Sequence, residues 1–413
     1  MNNLLGRAEG ELYQQPLTVL CFLIFLAVIP VTLVVPILKP LVIDRYSVSP
    51  FAAHAFLSAN MMSAILAAPL VGWVLDRIGR CQPIVVVAFL LDALLLLGLG
   101  VAPNYVTLMI IRFFEGITHI VALTGIMGVA LAMAHRNPVR SAPIMGAVGA
   151  SIVFAVACGS GLGGALSNSG INRPLIGATI ISFLGAIISG WFLRHERTVS
   201  SYQRIHGLHA LANIICKERA ILIPCIFTFS DRLLVGIIIS SFNLYLVQHL
   251  GWTPKQFGFL MSTLLFPFGL LCYPFGKLCR VWSKSIVIVS ASLLYAIFVA
   301  ALAWIDPDWF FPSMLLLGVI SALNFSPSLA LVADLAGSES RSTAMGAFNS
   351  AGSLGFFVGP LMGGTLVQSM LSGGVSVENA YKTVFIVGGG VSFLTTIFAI
   401  PFLVHLVRTG KTT

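Results

Sequence analysis

Ile84-Val85-Val86-Val87-Ala88-Phe89-Leu90-Leu91-Asp92-Ala93-Leu94-Leu95-Leu96-Leu97-Gly98-Leu99-Gly100-Val101-Ala102 is an apolar run broken by a single acid. At about 1.5 Å of helical rise per residue it approaches the roughly 30 Å of a bilayer's hydrocarbon core. The run does not alternate polar with apolar residues, as a membrane barrel strand would. Similar runs lie at Leu17–Leu38, Phe51–Leu75, Val106–Met133, Ser141–Leu166, Pro174–Phe192, Ala220–Leu246, Phe257–Cys279, Ser285–Ile305, Trp309–Ala333, Ala344–Val367 and Ala380–Leu406. Hydrophobic residues fill 58% of the 413 positions and charged residues only 9%. A soluble domain carries about a quarter charged residues, so a water-soluble chain is excluded. The expected class is an all-α membrane protein of twelve transmembrane helices.

A net charge of +9 raises the question of nucleic acid, and the positions of the cations answer it. With both termini cytoplasmic, the inner segments hold Arg7, Arg77, Arg80, Arg136, Arg140, Arg194, Arg197, Arg204, Lys217, Arg219, Lys277, Arg280, Lys284, Arg341, Arg408 and Lys411. The outer segments hold only Lys39, Arg45, Arg173, Lys255 and Lys382. This is the positive-inside asymmetry of a multi-pass protein, expected here in a bacterial cytoplasmic (inner) membrane, with lipid and not nucleic acid as its surroundings. The polar N-terminal residues and the lack of a small-residue cleavage site predict no removable signal peptide. Seven cysteines without a C-x-x-C pair predict neither disulfides nor a metal site.

The longest polar stretch between spans, about Arg194 to Arg219, divides the helices six and six. The expected organisation is an N-terminal six-helix bundle over 1–193, a cytoplasmic linker over 194–219 and a C-terminal six-helix bundle over 220–413. An internal repeat supports it. Gly159-Ser160-Gly161-Leu162-Gly163-Gly164 matches Gly359-Pro360-Leu361-Met362-Gly363-Gly364, and Met145-Gly146-Ala147 matches Met345-Gly346-Ala347 at the same spacing. Gly72-x-x-x-Asp76-x-x-Gly79-Arg80 answers Gly276-x-x-x-Arg280-x-x-Ser283-Lys284. Related halves are a common plan among secondary transporters.

The segment Gly72-Trp73-Val74-Leu75-Asp76-Arg77-Ile78-Gly79-Arg80 resembles the cytoplasmic signature loop of the major facilitator superfamily, departing from it at Cys81. The resemblance implies a conformational latch of Gly72, Asp76, Arg77, Gly79 and Arg80 that holds the halves together in one state. In the fourth span, Arg112-Phe113-Phe114-Glu115-Gly116 is similar to the family's arginine-x-x-polar-glycine pattern, with Glu115 where a glutamine is common. The eleventh-span pattern Gly355-x-x-x-Gly359-Pro360-x-x-Gly363-Gly364 is similar to that of the family's drug/proton antiporters, which usually carry it in the fifth span. The fifth-span copy here has Ala155 and Ser160 at the corresponding Gly and Pro positions. The plainer reading of Gly159, Gly163, Gly164, Gly355, Gly359, Pro360, Gly363 and Gly364 is close helix packing, compatible with transport. Gly159, Gly161 and Gly164 also spell G-x-G-x-x-G, but inside an apolar helix with no strand before it, so no dinucleotide cofactor is expected. Nor is any other cofactor, and no P-loop occurs.

Charge inside a span is costly and marks a functional candidate. Arg112, Glu115 and His119 stand on one helical face, roughly 9, 14 and 20 Å from the start of their span. Asp231 and Arg232 lie near the middle of the seventh span; adjacent residues point about 100° apart, and Asp231 is expected to face a central cavity. The resemblance implies that spans one, four, seven and ten line that cavity, with the two charged sites facing each other across it. Asn324, Ser326 and Ser328 around Pro327, together with Asn243, are candidates to orient a substrate or to join helices. Asp92 is expected to make a structural pairing.

These features predict a secondary transporter, not an enzyme, in which the two halves rock about a central site. The expected function is proton-coupled efflux of a small amphipathic or drug-like molecule by a monomer. Proton-responsive and substrate-binding candidates are Arg112, Glu115, His119, Asp231, Arg232 and Asn324. Two alternatives stay open: proton-coupled transport of an organic anion or siderophore, and a non-transporting membrane receptor or scaffold.

Overall fold

The computed structural model describes residues 16–78, 81–136, 141–193, 219–278, 283–335 and 341–408. The segment 194–218, most of the expected linker, lies outside them. Among the described residues, twelve helices are long and apolar enough to cross a membrane. Their α-helical parts are α1 (Leu17–Leu33), α2 (Pro50–Ile78), α3 (Cys81–Val101), α4 (Tyr105–Arg136), α5 (Ser141–Ser167) and α6 (Arg173–Phe192), then α7 (Leu222–Ile237), α8 (Pro254–Leu278), α9 (Lys284–Ala301), α10 (Phe310–Leu335), α11 (Arg341–Ser372) and α12 (Val377–Arg408). Helix is what lipid demands, because it satisfies each backbone N–H and C=O within its own segment. Since the spans are even in number, the start of the first and the end of the last lie on one side, called here the terminal face; the other is the far face.

α1 packs on α4, α5 and α6, and α7 repeats this against α10, α11 and α12. Both leading helices lose α-geometry toward the far face: α1 passes into a 3₁₀ turn at Val35–Ile37, and α7 into π-turns at Ile238–Phe242 and Tyr245–His249. Pro36 accounts for the first. At the second, the Ser240 hydroxyl donates back to Gly236 O at 2.7 Å, a bond that competes with the helical ladder.

The repeated glycines explain how the helices come together. A methyl group at Gly159 or Gly163 would overlap Thr32 or the Leu33 backbone of α1, and one at Gly355 or Gly359 would overlap the backbone of α7 at Phe229 and Leu233. A methyl at Gly363 would meet the Ser241 hydroxyl. The last glycine of each copy reaches across to the other half: Gly164 lies against Pro254 and Gly258 of α8, and Gly364 against Phe51 and His54 of α2. Pro360 packs against Gly236 of α7. Equivalent positions thus do equivalent work in the two halves.

The halves meet through α2 with α11 and α5 with α8. Hydrogen bonds across this seam join His54 Nε2 with Ser241 Oγ (2.9 Å), Ser58 Oγ with Phe357 O (3.0 Å), Asn243 Nδ2 with Val35 O (2.7 Å) and Ser262 Oγ with Ala157 O (2.7 Å). On α2, Ser58, Met62 and Leu66 share one stripe at four-residue spacing. Ser58 is buried against α11, whereas Met62 and Leu66, nearer the terminal face, are exposed, as are Ser350 and Leu354 on α11. Among the described residues the seam is therefore closed toward the far face and open toward the terminal face.

Candidate functional site

α4 carries the first group of buried charges. Arg112 and Glu115 stand one turn apart, and Arg112 Nη1 donates to Glu115 Oε2 at 2.7 Å. Asn60 of α2 donates its Nδ2 to the same oxygen at 2.7 Å. The Arg112 guanidinium also lies 5.0 Å from the centre of the Phe56 ring, a cation–π contact with the same helix. Gly116 makes this approach possible, because a methyl there would collide with Ser63 Oγ and Asn60 O of α2. The charged sites were expected to face each other across a central cavity; instead Arg112 and Glu115 are 1% and 0% exposed and bond to each other and to Asn60 of α2.

Three atoms in this cluster have no hydrogen-bond partner among the described residues: Glu115 Oε1, Asn60 Oδ1 and Arg112 Nε. A buried polar atom left without a partner costs about 1–3 kcal/mol. Two of the three are acceptors on side chains already bonded to each other. A proton on Oε1 would supply the donor that both lack.

His119, one turn beyond Glu115, is half-buried and bonds through Nδ1 to Ala27 O of α1 at 3.0 Å. A carbonyl can only accept, so Nδ1 carries the hydrogen and Nε2 stays open to a proton or ligand. Asp92 behaves as a structural pairing, held by Ser182 Oγ of α6 at 2.6 Å and Thr118 Oγ1 of α4 at 3.1 Å.

α7 carries the second group, the adjacent Asp231 and Arg232. Asp231 is enclosed, 6% exposed, and accepts from Asn324 Nδ2 of α10 at 3.4 Å. Arg232 is the more exposed at 19%, leaving α7 between α10 and α11, with its guanidinium carbon 5.0 Å from the Phe325 ring centre and 5.3 Å from that of Phe356. The physical reason is the neighbours: Asn324, oriented by Ser292 Oγ at 3.0 Å, offers Asp231 a buried donor, while Gly352 and Gly355 leave room for the arginine stem. Phe227, Thr228, Asp231, Asn324, Phe325, Ser328 and Phe348 line a narrow cleft beside it.

The other neutral candidates join helices. Ser326 Oγ donates to Cys272 O of α8, Ser328 Oγ to Asn324 O, and Asn243 bridges the halves. Of the expected latch, Gly72, Asp76 and Arg77 fall in the last turns of α2 with side chains outside the described set, and Gly79 and Arg80 fall outside it altogether. Sequence reasoning missed Asn60 and His54, both on α2. The available signal was that α2 is the least apolar of the twelve spans.

Comparison with known proteins follows the same lines. The sequence model described as Major Facilitator Superfamily matches twice, over residues 20–230 and 224–412. Multidrug resistance protein 1 of Bacillus subtilis (strain 168) is 26% identical over 192 residues, which span 46% of this chain and 48% of that protein. Among solved structures, a mutant of the nucleoside transporter NupG superposes with a TM-score of 0.77 at 16% identity, covering 94% of this chain and 99% of that one. A bacterial homologue of the human lysosomal transporter Spinster, inward-facing and occupied, superposes with a TM-score of 0.75 at 13% identity, covering 95% of this chain and 96% of that one.

Proposed function

Because the chain belongs to the Major Facilitator Superfamily and is a membrane transporter, we propose that it is a proton-coupled antiporter exporting a small amphipathic molecule by alternating access. The observation that carries the reading is the buried Arg112–Glu115–Asn60 cluster with its paired orphan acceptors, Glu115 Oε1 and Asn60 Oδ1. In this reading Glu115 alternates between an ion pair with Arg112 and a protonated acid that donates to Asn60. His119 passes protons between the open side and Glu115. Asp231 and Asn324 hold the shape of the opposite wall, where Arg232 faces the substrate. The bundles, 1–193 and 220–413 joined by 194–219, rock as two bodies.

The distribution of Lys and Arg supports a bacterial inner-membrane orientation with both termini cytoplasmic, which makes the open side the cytoplasmic one. Export of an amphipathic compound is favoured by the partial similarity to the Bacillus multidrug resistance protein. The test is pH-gradient-driven flux in proteoliposomes across a panel of lipophilic cations, organic anions and sugars, comparing wild type with Glu115→Gln. Loss of gradient dependence in the variant is the expected result. Gradient-driven flux undiminished by Glu115→Gln would refute coupling at this residue, and no flux of any compound would favour a receptor or scaffold.

A further inference from the structure

Among the described residues, Arg232 is a guanidinium without a hydrogen-bond acceptor. Its contact with Asp231 is Nε to Oδ2 at 3.8 Å, beyond hydrogen-bond reach. Its stem lies against Gly352 and Gly355 of α11, near the Thr228 hydroxyl, and its guanidinium lies over the faces of Phe325 and Phe356, with no hydrogen bond to any described residue. Asp231 meanwhile spends Oδ1 on Asn324 inside the bundle. Asp231 is the more enclosed of the pair and lines the narrow cleft together with Phe325, while Arg232 lies beside that cleft between two phenyl rings, with five N–H groups unused by the described residues. A guanidinium fork matches a carboxylate or phosphate bidentately, and flanking rings suit a flat apolar body.

The surroundings of this group favour an anion further. The described part of α1 contains no charged residue. On α4, Arg112 and Glu115 neutralise each other out of reach, and the half-buried His119 keeps Nε2 open. On α10 the nearest polar groups, Asn324, Ser326 and Ser328, are neutral and already bonded to Asp231 or to helix carbonyls.

We infer that Arg232 is the anion-binding group of the substrate site, and that the transported amphipath carries a carboxylate or similar oxyanion beside an apolar aromatic body. This deepens the export reading, on which it rests for taking the open cleft as the substrate's route. The oxyanion replaces water on the unused N–H groups, and its ring extends the apolar wall.

The experiment is equilibrium binding to the purified full-length protein in detergent, using three probes of one shape: 2-naphthoate, 2-naphthamide and 2-naphthylmethylammonium. Naphthoate is expected to bind most tightly. Arg232→Gln should weaken it by about 10- to 100-fold, the range of a lost charge-assisted hydrogen bond, and leave the amide nearly unchanged. Arg232→Lys should recover only part, since an ammonium lacks the fork. If Arg232→Gln fails to fold, the Asp231→Asn, Arg232→Gln double variant keeps the buried charge balanced and serves in its place. Equal affinity for acid and amide, or preference for the ammonium probe, overturns the inference. Binding as expected without gradient-driven flux would sink the export reading and leave the anion site standing.

Discussion

At the scale of single residues, hydrogen counting decides more than charge does. Thr118 has one hydroxyl hydrogen, yet its Oγ1 lies 2.9 Å from Glu115 O and 3.1 Å from Asp92 Oδ1. The carbonyl can only accept, so both contacts are hydrogen bonds only if Asp92 supplies a hydrogen of its own. A neutral Asp92 also suits a buried acid with hydroxyl partners and no base bonded to it, since an unpaired buried charge is far costlier than a neutral acid. Asp92→Asn, whose amide can donate to Thr118 and accept from Ser182, should therefore leave thermal stability and flux close to wild type. Asp92→Ala, which strands both hydroxyls, should lower stability by roughly 1–3 kcal/mol, read as a drop in melting temperature. Greater loss in Asp92→Asn than in Asp92→Ala would contradict a neutral Asp92. The rarity of charge in apolar spans made Arg112, Glu115, Asp231 and Arg232 legible in sequence. Their partners Asn60, Thr118 and Ser182 were not, because neutral polar residues are common in spans and nothing local says which helix they meet.

At the scale of elements, the glycine pattern is a set of approach distances. Gly364 lets α11 press on His54, whose Nδ1 bonds Pro50 O at 2.7 Å and whose Nε2 faces Ser241. Because Pro50 O accepts, the ring holds its hydrogen on Nδ1 and takes the Ser241 hydroxyl on Nε2, a neutral pin across the seam. Any larger side chain at position 364 must push α2 and α11 apart at the far face. Gly364→Leu should shift the protein toward the opposite opening, measured as slower thiol labelling of a cysteine placed at Met62 on the terminal side. Unchanged labelling would mean that this contact does not hold the seam. The repeat made the glycines visible in sequence. It could not show that Gly164 and Gly364 reach the other half while Gly159, Gly163, Gly355, Gly359 and Gly363 serve their own.

At the scale of the whole molecule, the described residues zip the seam at the far face, so transport by rocking requires that the open stripe of Met62 and Leu66 meet that of Ser350 and Leu354 at another moment of the cycle. A Met62→Cys, Leu354→Cys pair in a cysteine-depleted background should cross-link under oxidation only when the cleft closes. Flux should stop on oxidation and return on reduction. Cross-linking without loss of flux would argue against rocking of two bodies. A disulfide demands Cα atoms within about 7 Å, so the readout is sensitive to real closure.

Lipid imposes run length and backbone satisfaction on any chain that crosses it, and for that reason the helical membrane fold, the count of spans and the family could all be read along the chain. Duplication left its mark in glycine spacing, which is a local property. It took the packed helices to establish that Glu115 turns to Asn60, that Asp231 accepts from Asn324 while Arg232 lies between Phe325 and Phe356, and that Asn243 joins the halves. Those outcomes depend on which atoms neighbouring helices present, and a one-dimensional pattern contains residue types and spacings but not the rotation of one helix against the next.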